Sequence, residues 1–375
     1  PGWNSVQTIR DMMLYHGKNF DDPAQKVLEA RRMLNFVSEN IKSASGPYKQ
    51  ILENEIKTLK NLDDNYLLHD HLEAVNDPCY FYEFMERAYS FGLTYLSDAN
   101  LPSILVENQT KSAADALKEI NDAVRQEQYV DFITNRRFRM TLLVKEDNNL
   151  VRNLTPESVS GLRYIANYRL VKPIQAGAEK TTESLDLVGI SNPDQTANIT
   201  GLVACVCYLE ILKAVPVPKT FNEVVVLATE ILGDKSKETI SAEFNAIILK
   251  LIFNGIISIT DGHPGCTQQI SEKPKAFRAA QIVGLDDAKL PNMRHETVKL
   301  TDDQRVVFQY VNGENSKEQI VQALKSHIDK GELIINADGK QVESGNKNFD
   351  DKLMQYVEAQ LSIYAANGLL MEQDG

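Results

Sequence analysis

Tyr66-Leu67-Leu68-His69-Asp70-His71-Leu72-Glu73, continuing as Ala-Val-Asn-Asp-Pro78-Cys79-Tyr80-Phe81-Tyr82-Glu83-Phe84-Met-Glu-Arg87-Ala88, is the stretch on which the fold turns. Its first part packs apolar residues and histidines between Asp-Asp-Asn and Asn-Asp-Pro, which reads as a β-strand. Alternate residues of a strand share a face, so His69, His71 and Glu73 would line up. Three readings stand for them: metal ligands, the polar lining of a substrate cleft, or hydrogen-bonded structural groups. The second part predicts a helix over Tyr80–Phe91, stopped by Gly92. Leu93–Leu96 then reads as a short strand.

Upstream, the pattern is helical. Val6, Ile9, Met13 and His16 fall near one face. Asp22-Pro23 is a helix start, with Asp22 as cap and Pro23 in the first turn. That helix should run to about Ile41, with Val27, Ala30, Arg31, Leu34 and Val37 at helical spacing. Gly46-Pro47 breaks it before a helix over Tyr48–Leu59. Downstream, Ala113–Leu143 reads as helix, interrupted near Glu127.

A polar run, Glu146-Asp-Asn-Asn149, and Thr155-Pro156 mark a first boundary, giving a domain over 1–148. Strand-like pieces lie at Leu162–Val171 and Ser184–Val188. Leu202–Val215 is apolar, but Glu210 and Lys213 make it a buried helix rather than a membrane span. Thr220-Phe-Asn-Glu223, Thr301-Asp-Asp-Gln304 and Ser316-Lys-Glu-Gln319 are capping boxes. Leu251-Ile-Phe-Asn-Gly-Ile-Ile and Tyr364-Ala-Ala-Asn-Gly-Leu-Leu match in layout, a weak internal repeat of helix, Asn-Gly and apolar strand. Helix, helix, turn and apolar strand is the order of a winged-helix module. Two such modules are expected, over 149–284 and 285–375, divided at Gly284-Leu-Asp-Asp.

The net charge of −12 over 375 residues opposes a nucleic-acid or anionic-membrane binder, which needs clustered Lys and Arg. The helix Ala242–Phe253, in the recognition-helix position, offers only Glu243 and Lys250 as charges. Four cysteines at poor spacings for a disulfide framework or zinc site read as reduced thiols of a cytoplasmic protein. No metal ion is expected. There is no Gly-x-Gly-x-x-Gly, no P-loop and no His-Glu-x-x-His. Asn135-Arg136-Arg137-Phe138-Arg139 is the one basic-aromatic cluster. It reads as a salt-bridged junction, or else as an RNA contact. Arg136, Arg294 and His295 are expected at domain contacts.

Several of these stretches together resemble bacterial methyltransferases that carry a predicted methyltransferase regulatory domain, the rickettsial protein lysine methyltransferases among them. They are Pro1-Gly2-Trp3, Arg10–His16, Tyr66–Glu73, Tyr80–Phe84, Glu127–Phe132 with Asn135-Arg136, and Asn292–Glu296. The resemblance covers nearly the whole chain. It implies a fold that is mostly α with α/β parts: the remnant of a class I (Rossmann-like) methyltransferase sheet with a helical insertion, then middle and carboxy-terminal winged-helix-like modules. Tyr66–Glu73 and Leu93–Leu96 would be the last strands of that sheet, and the early helices would be an insertion suited to a homodimer. The chain would be the carboxy-terminal part of a longer enzyme. The cofactor implied is S-adenosylmethionine in that enzyme, with none held by this part alone.

The expected function is the substrate-recognition and regulatory part of a methyltransferase acting on protein lysine. Tyr66, His69, His71, Glu73 and Tyr80 are the candidates for the substrate side of the cleft, and no catalytic base is assigned. The partner is a protein substrate, with no nucleic acid and no membrane insertion. The rival reading is a non-enzymatic interaction scaffold built on winged-helix-like modules.

Overall fold

The computed structural model describes all residues except 42–44, 153, 285–287, 332, 334–335, 338–339, 342–348 and 374–375. The chain forms two compact units, Pro1–Arg152 and Asn153–Gly375. The expected boundary in Gly284-Leu-Asp-Asp falls on 285–287, outside the described residues.

In the first unit, helices Trp3–Gly17, Pro23–Asn40 and Gly46–Lys60 bury Ile9, Met13, Leu34, Leu52, Ile56 and Leu59 against one another. Asp22 caps the second helix by accepting from the Gln25 N–H at 2.8 Å, a bond worth about 1 kcal/mol. Arg31 donates to the Leu59 and Leu62 carbonyls, so the end of the third helix is capped from the second.

The strand expected over Tyr66–Glu73 does not form. Asp64–Tyr66 is helical and Leu67–His71 is a wide helical turn, with the Leu72 N–H bonded to the carbonyls of Leu67 and Leu68. The reason is packing. A helical turn puts Leu67 and Leu72 together into the core of the three-helix bundle, and both are buried. The helix expected to span Ala113–Leu143 is also revised. Thr110 caps Lys111–Lys118, Asp122 caps Ala123–Thr134, and the break lies between those helices rather than near Glu127. Asn135 then adopts the left-handed conformation at φ 51°, which ends the second of them. Thr141–Lys145 becomes a strand, antiparallel to Leu93–Asp98 with a bulge at Leu96. Helix Phe81–Ser90 lays Phe81, Met85 and Ala88 on Tyr95, Leu93 and Leu143 of this pair.

In the second unit, the Leu202–Ala214 helix is buried almost all round. Its buried Glu210 pairs with Lys213 at 2.7 Å. Helices Phe221–Leu232 and Lys237–Phe253 pack with it beside a three-stranded sheet of Lys219–Thr220, Arg163–Ala166 and Ile257–Thr260. Three helices and a small antiparallel sheet are the make-up of a winged-helix module. A second sheet joins Tyr168–Leu170, Ser184–Gly189 and Thr196–Thr200, of which the last was not expected. Helices Asp302–Phe308, Lys317–Asp329 and Phe349–Ala366 build the last module around Val307, Ile320, Leu324, Leu353 and Leu361. Among the described residues no helix is long and apolar enough to cross a membrane.

The weak repeat is a structural one. At both sites the Asn side chain donates to the carbonyl four residues back: Asn254 to Lys250 and Asn367 to Ile363. At both, the Gly N–H reaches three residues back and the next N–H five back. Gly255 at φ 68° and Gly368 at φ 67° occupy the left-handed region, where a Cβ is penalised. An outside asparagine clasps each turn: Asn167 donates to the Gly255 carbonyl and Asn292 to that of Asn367. Replacing either glycine by alanine is expected to cost about 1–2 kcal/mol in urea unfolding. Equal costs at the two positions would support equivalent turns, whereas a neutral Gly255→Ala would separate them.

Candidate functional site

The site is built on a glycine. Gly2 donates its N–H to the Arg136 carbonyl at 3.0 Å, and a Cβ there would lie 2.2 Å from the Asn135 carbonyl oxygen. Only hydrogen fits, so Pro1-Gly2-Trp3 lies flat on the segment that leaves helix Ala123–Thr134. That segment carries the basic cluster, and its arginines turn inward. Arg139 holds Asp131 at 2.7 Å and Glu127 at 2.8 Å, with its guanidinium 3.9 Å over the Phe81 ring. Arg136 holds Asp131 at 3.2 Å and donates to the Ser103 carbonyl. Asp98 lies 3.8 Å from both arginines and accepts from the Asn100 and Met140 N–H groups. Arg137 makes a two-pronged pair with the buried Glu55. Three buried carboxylates thus face Arg136 and Arg139. Burial is the main cause that raises the Glu127 carboxyl, against the pull of Arg139 and Arg136.

Beside this network lies a cleft of about 560 Å³ walled by Pro1, Trp3, Tyr80, Glu83, Phe84 and Phe138, with Asp131 and the three arginines at its base. Trp3 donates to Gln7 at 3.3 Å and stacks on His71, centroids 5.9 Å apart and planes 8° apart. Tyr66 tilts against His71, ring centroids 6.2 Å apart. Burial lowers the pKa of His71, and its buried Nδ1 has no hydrogen-bond partner. A neutral imidazole is therefore the back wall of Trp3.

Of the five residues expected on the substrate side, Tyr80 lines the cleft. Its ring stacks on Tyr82 and meets Phe132 edge-on. His69 and Glu73 do not alternate with His71 on one strand face. In a helical turn they share the outer side as an exposed pair 3.5 Å apart, while His71 points in. Arg10, buried, donates to the Glu73 carbonyl and fastens the end of this turn. Arg136 joins helix, strand and loop within the first unit. Arg294 and His295 lie in the hairpin between Lys289–Pro291 and Thr297–Lys299. There Arg294 pairs with Glu296, His295 takes φ 60°, and the Met293 N–H bonds the Gly368 carbonyl. Composition and spacing gave no sign of Trp3, Phe84, Phe138 or Asp131 as cleft residues. Three of the four stand in motifs that carried the resemblance. Among the described residues no cluster of three or more His, Cys, Asp or Glu is placed to hold a metal.

Residues 63–145 match the predicted methyltransferase regulatory domain, and residues 272–369 match the PKMT C-terminal winged helix domain. The chain belongs to the family of bacterial methyltransferases that carry these domains. It is 31% identical over 374 residues to the uncharacterized protein RP789 of Rickettsia prowazekii, a match spanning 99% of this chain and 67% of that protein. The structure of PKMT2 from Rickettsia typhi in complex with AdoHcy superposes with a TM-score of 0.85 at 26% identity, over 99% of this chain and 73% of that one. PKMT2 from the same organism in a second structure gives 0.83 at 25%. A Synechocystis protein, sll1526, is 25% identical over 179 residues, 47% of this chain and 34% of its own length.

Two expectations follow from the charge network. Arg139→Met removes the cation nearest Glu127 and Asp131 and should cost about 3–5 kcal/mol in chemical denaturation; a cost below about 1 kcal/mol would mean the carboxylates are neutral without it. A raised Glu127 pKa makes its proton favour the folded chain. That contribution is full below the ordinary value of 4.5 and is lost as pH rises through the folded value. Relative to Glu127→Gln, wild-type stability should therefore fall as pH rises from the ordinary value of 4.5 through the raised folded value. A difference that stays constant over this range would refute a raised pKa.

Proposed function

We propose that this chain is the substrate-handling and regulatory part of an S-adenosylmethionine-dependent protein lysine methyltransferase. One observation carries the reading: Pro1 and Trp3, Tyr80, Glu83 and Phe84, and Asp131 with Arg136, remote in sequence and each part of a stretch that carries the resemblance, close on one cleft. Its walls suit a lysine side chain. Trp3, Tyr80 and Phe84 offer apolar surface to the methylene stem, and Glu83 attracts the ammonium end. Methyl transfer is an in-line displacement at a sulfonium, so the protein contributes mainly alignment and the exclusion of water. His71 and Tyr66 act here by positioning Trp3; no general base is assigned.

S-Adenosylmethionine is the methyl donor of this reading, and AdoHcy is what the donor leaves after transfer. The residues of this chain do not make a cradle for it. The first unit pairs its described strands only antiparallel, with no strand leading through a glycine-rich turn into a helix. We therefore assign the donor to parts of the longer relatives that this chain does not span, and draw no step through it. The Leu93–Asp98 and Thr141–Lys145 pair fits the outer edge of a larger sheet. Two strands alone are marginally stable, and Leu142 faces outward, 43% exposed.

The test is calorimetric titration of S-adenosylmethionine into this chain and into the longest polypeptide its gene encodes, followed by transfer of labelled methyl to protein substrate. Transfer by the longer polypeptide, reduced roughly a hundredfold by Trp3→Ala, is the expected result. Absence of both binding and transfer in the longer polypeptide would sink the reading and favour the scaffold.

A further inference from the structure

The cleft does not end at Tyr80. The Tyr80 ring continues outward into a row of exposed aromatic rings: Tyr82 stacked on one side at 6.0 Å, Phe132 edge-on at 5.7 Å, and Tyr129 edge-on to Phe132 at 6.5 Å. Each of the four is between 37% and 50% exposed. A row of rings in mutual contact and open to water is unlike scattered surface hydrophobes, and it shares a residue with the cleft. The charge at its Tyr82 end is negative. Glu83 above all, and Glu86 more weakly, act on the Tyr82 phenol and raise it. At the other end the Arg125 guanidinium already lies 5.8 Å from the centre of the Tyr129 ring, a cation that a substrate side chain would have to displace or adjoin. Aromatic faces attract cations, and carboxylates beside them strengthen the preference for Lys or Arg over Asp or Glu.

We propose that the row Tyr82–Tyr80–Phe132–Tyr129 is a lane for an extended, lysine-bearing segment of the protein substrate, which lays successive cationic side chains across the rings and delivers one of them into the Trp3 cleft. The proposal rests on the methyltransferase reading and adds to it where and by what chemistry the flanking substrate residues are held. An extended chain suits the row because alternate side chains point the same way, at a spacing of about 7 Å. That is comparable with the separations between neighbouring rings.

Binding of a fluorescein-labelled alternating Ala-Lys peptide, followed by anisotropy on the intact chain, tests it, with the Ala-Glu peptide as counterpart. The Ala-Lys peptide is expected to bind and the Ala-Glu peptide to fail. Tyr80→Leu with Phe132→Leu keeps apolar bulk but removes two π faces, and should weaken binding about tenfold with the circular dichroism spectrum unchanged. Tyr80→Phe keeps the face and should retain affinity, which guards against loss through misfolding. Equal binding of both peptides, no binding, or affinity indifferent to the leucine pair would overturn the lane. So would sedimentation showing a wild-type dimer that the leucine pair dissociates, since a second copy would then be the occupant. Labelled methyl transfer separates the two claims. Transfer that persists while the peptide ignores the row retires the lane alone; peptide binding that depends on the row with no transfer retires the methyltransferase reading alone.

Discussion

The buried meeting of Arg136 and Arg139 with Asp98, Glu127 and Asp131 is the interaction on which the first unit depends. Charges taken out of water are costly, and they persist only when each is matched in place. The match draws on three separate parts of the unit. Glu127 and Asp131 come from the helix before the left-handed Asn135, Asp98 from the end of one strand, and the arginines from the run leading into its partner. The network fixes the path of residues 135–139. That path is the floor on which Gly2 rests and from which Phe138 projects into the cleft. The chemistry proposed for the cleft thus begins with a structural ion network.

A division of labour follows. Carboxylates and guanidiniums at the base of the cleft pair with one another, although one buried nitrogen on each of Arg136 and Arg139 makes no hydrogen bond. The walls are aromatic and, apart from Glu83, carry no charge that the fold itself consumes. Even Glu83 is half engaged, since it accepts from the Tyr80 N–H at the start of its helix. His71 extends the same logic to the rear. A cationic imidazole against Trp3 would weaken an aromatic surface meant for a substrate cation, and burial keeps it neutral.

Much of the helical architecture was legible because its signals are local. Asp22, Thr220, Thr301 and Ser316 announce helix starts by a side-chain oxygen near a free N–H, and Gly255 and Gly368 announce stops by a backbone that only glycine adopts cheaply. Tyr66–Glu73 was misread because leucines and histidines suit either a strand or a turn. The choice was made by the apolar face of distant helices that Leu67 and Leu72 join. Thr141–Lys145 was missed for the converse reason: it is a strand only because Leu93–Asp98 lies beside it. In the site, Tyr80 was legible as an aromatic at a helix start. The family resemblance pointed to Trp3 without saying what it does, and Phe138 carried no signal beyond its basic neighbours. Proximity across the length of a domain is not written in local pattern.

The contact of Gly2 with Asn135 and Arg136 has a consequence for how the chain acquires its shape. It joins the first residues of the unit to a point near its end, so it closes a loop of almost the whole unit. Contacts of such long separation are costly in chain entropy and form late. The three-helix bundle holds mostly nearer neighbours and can condense earlier. The cleft is then the last part of the unit to appear as the chain folds and, by the same token, the first to open when it loosens.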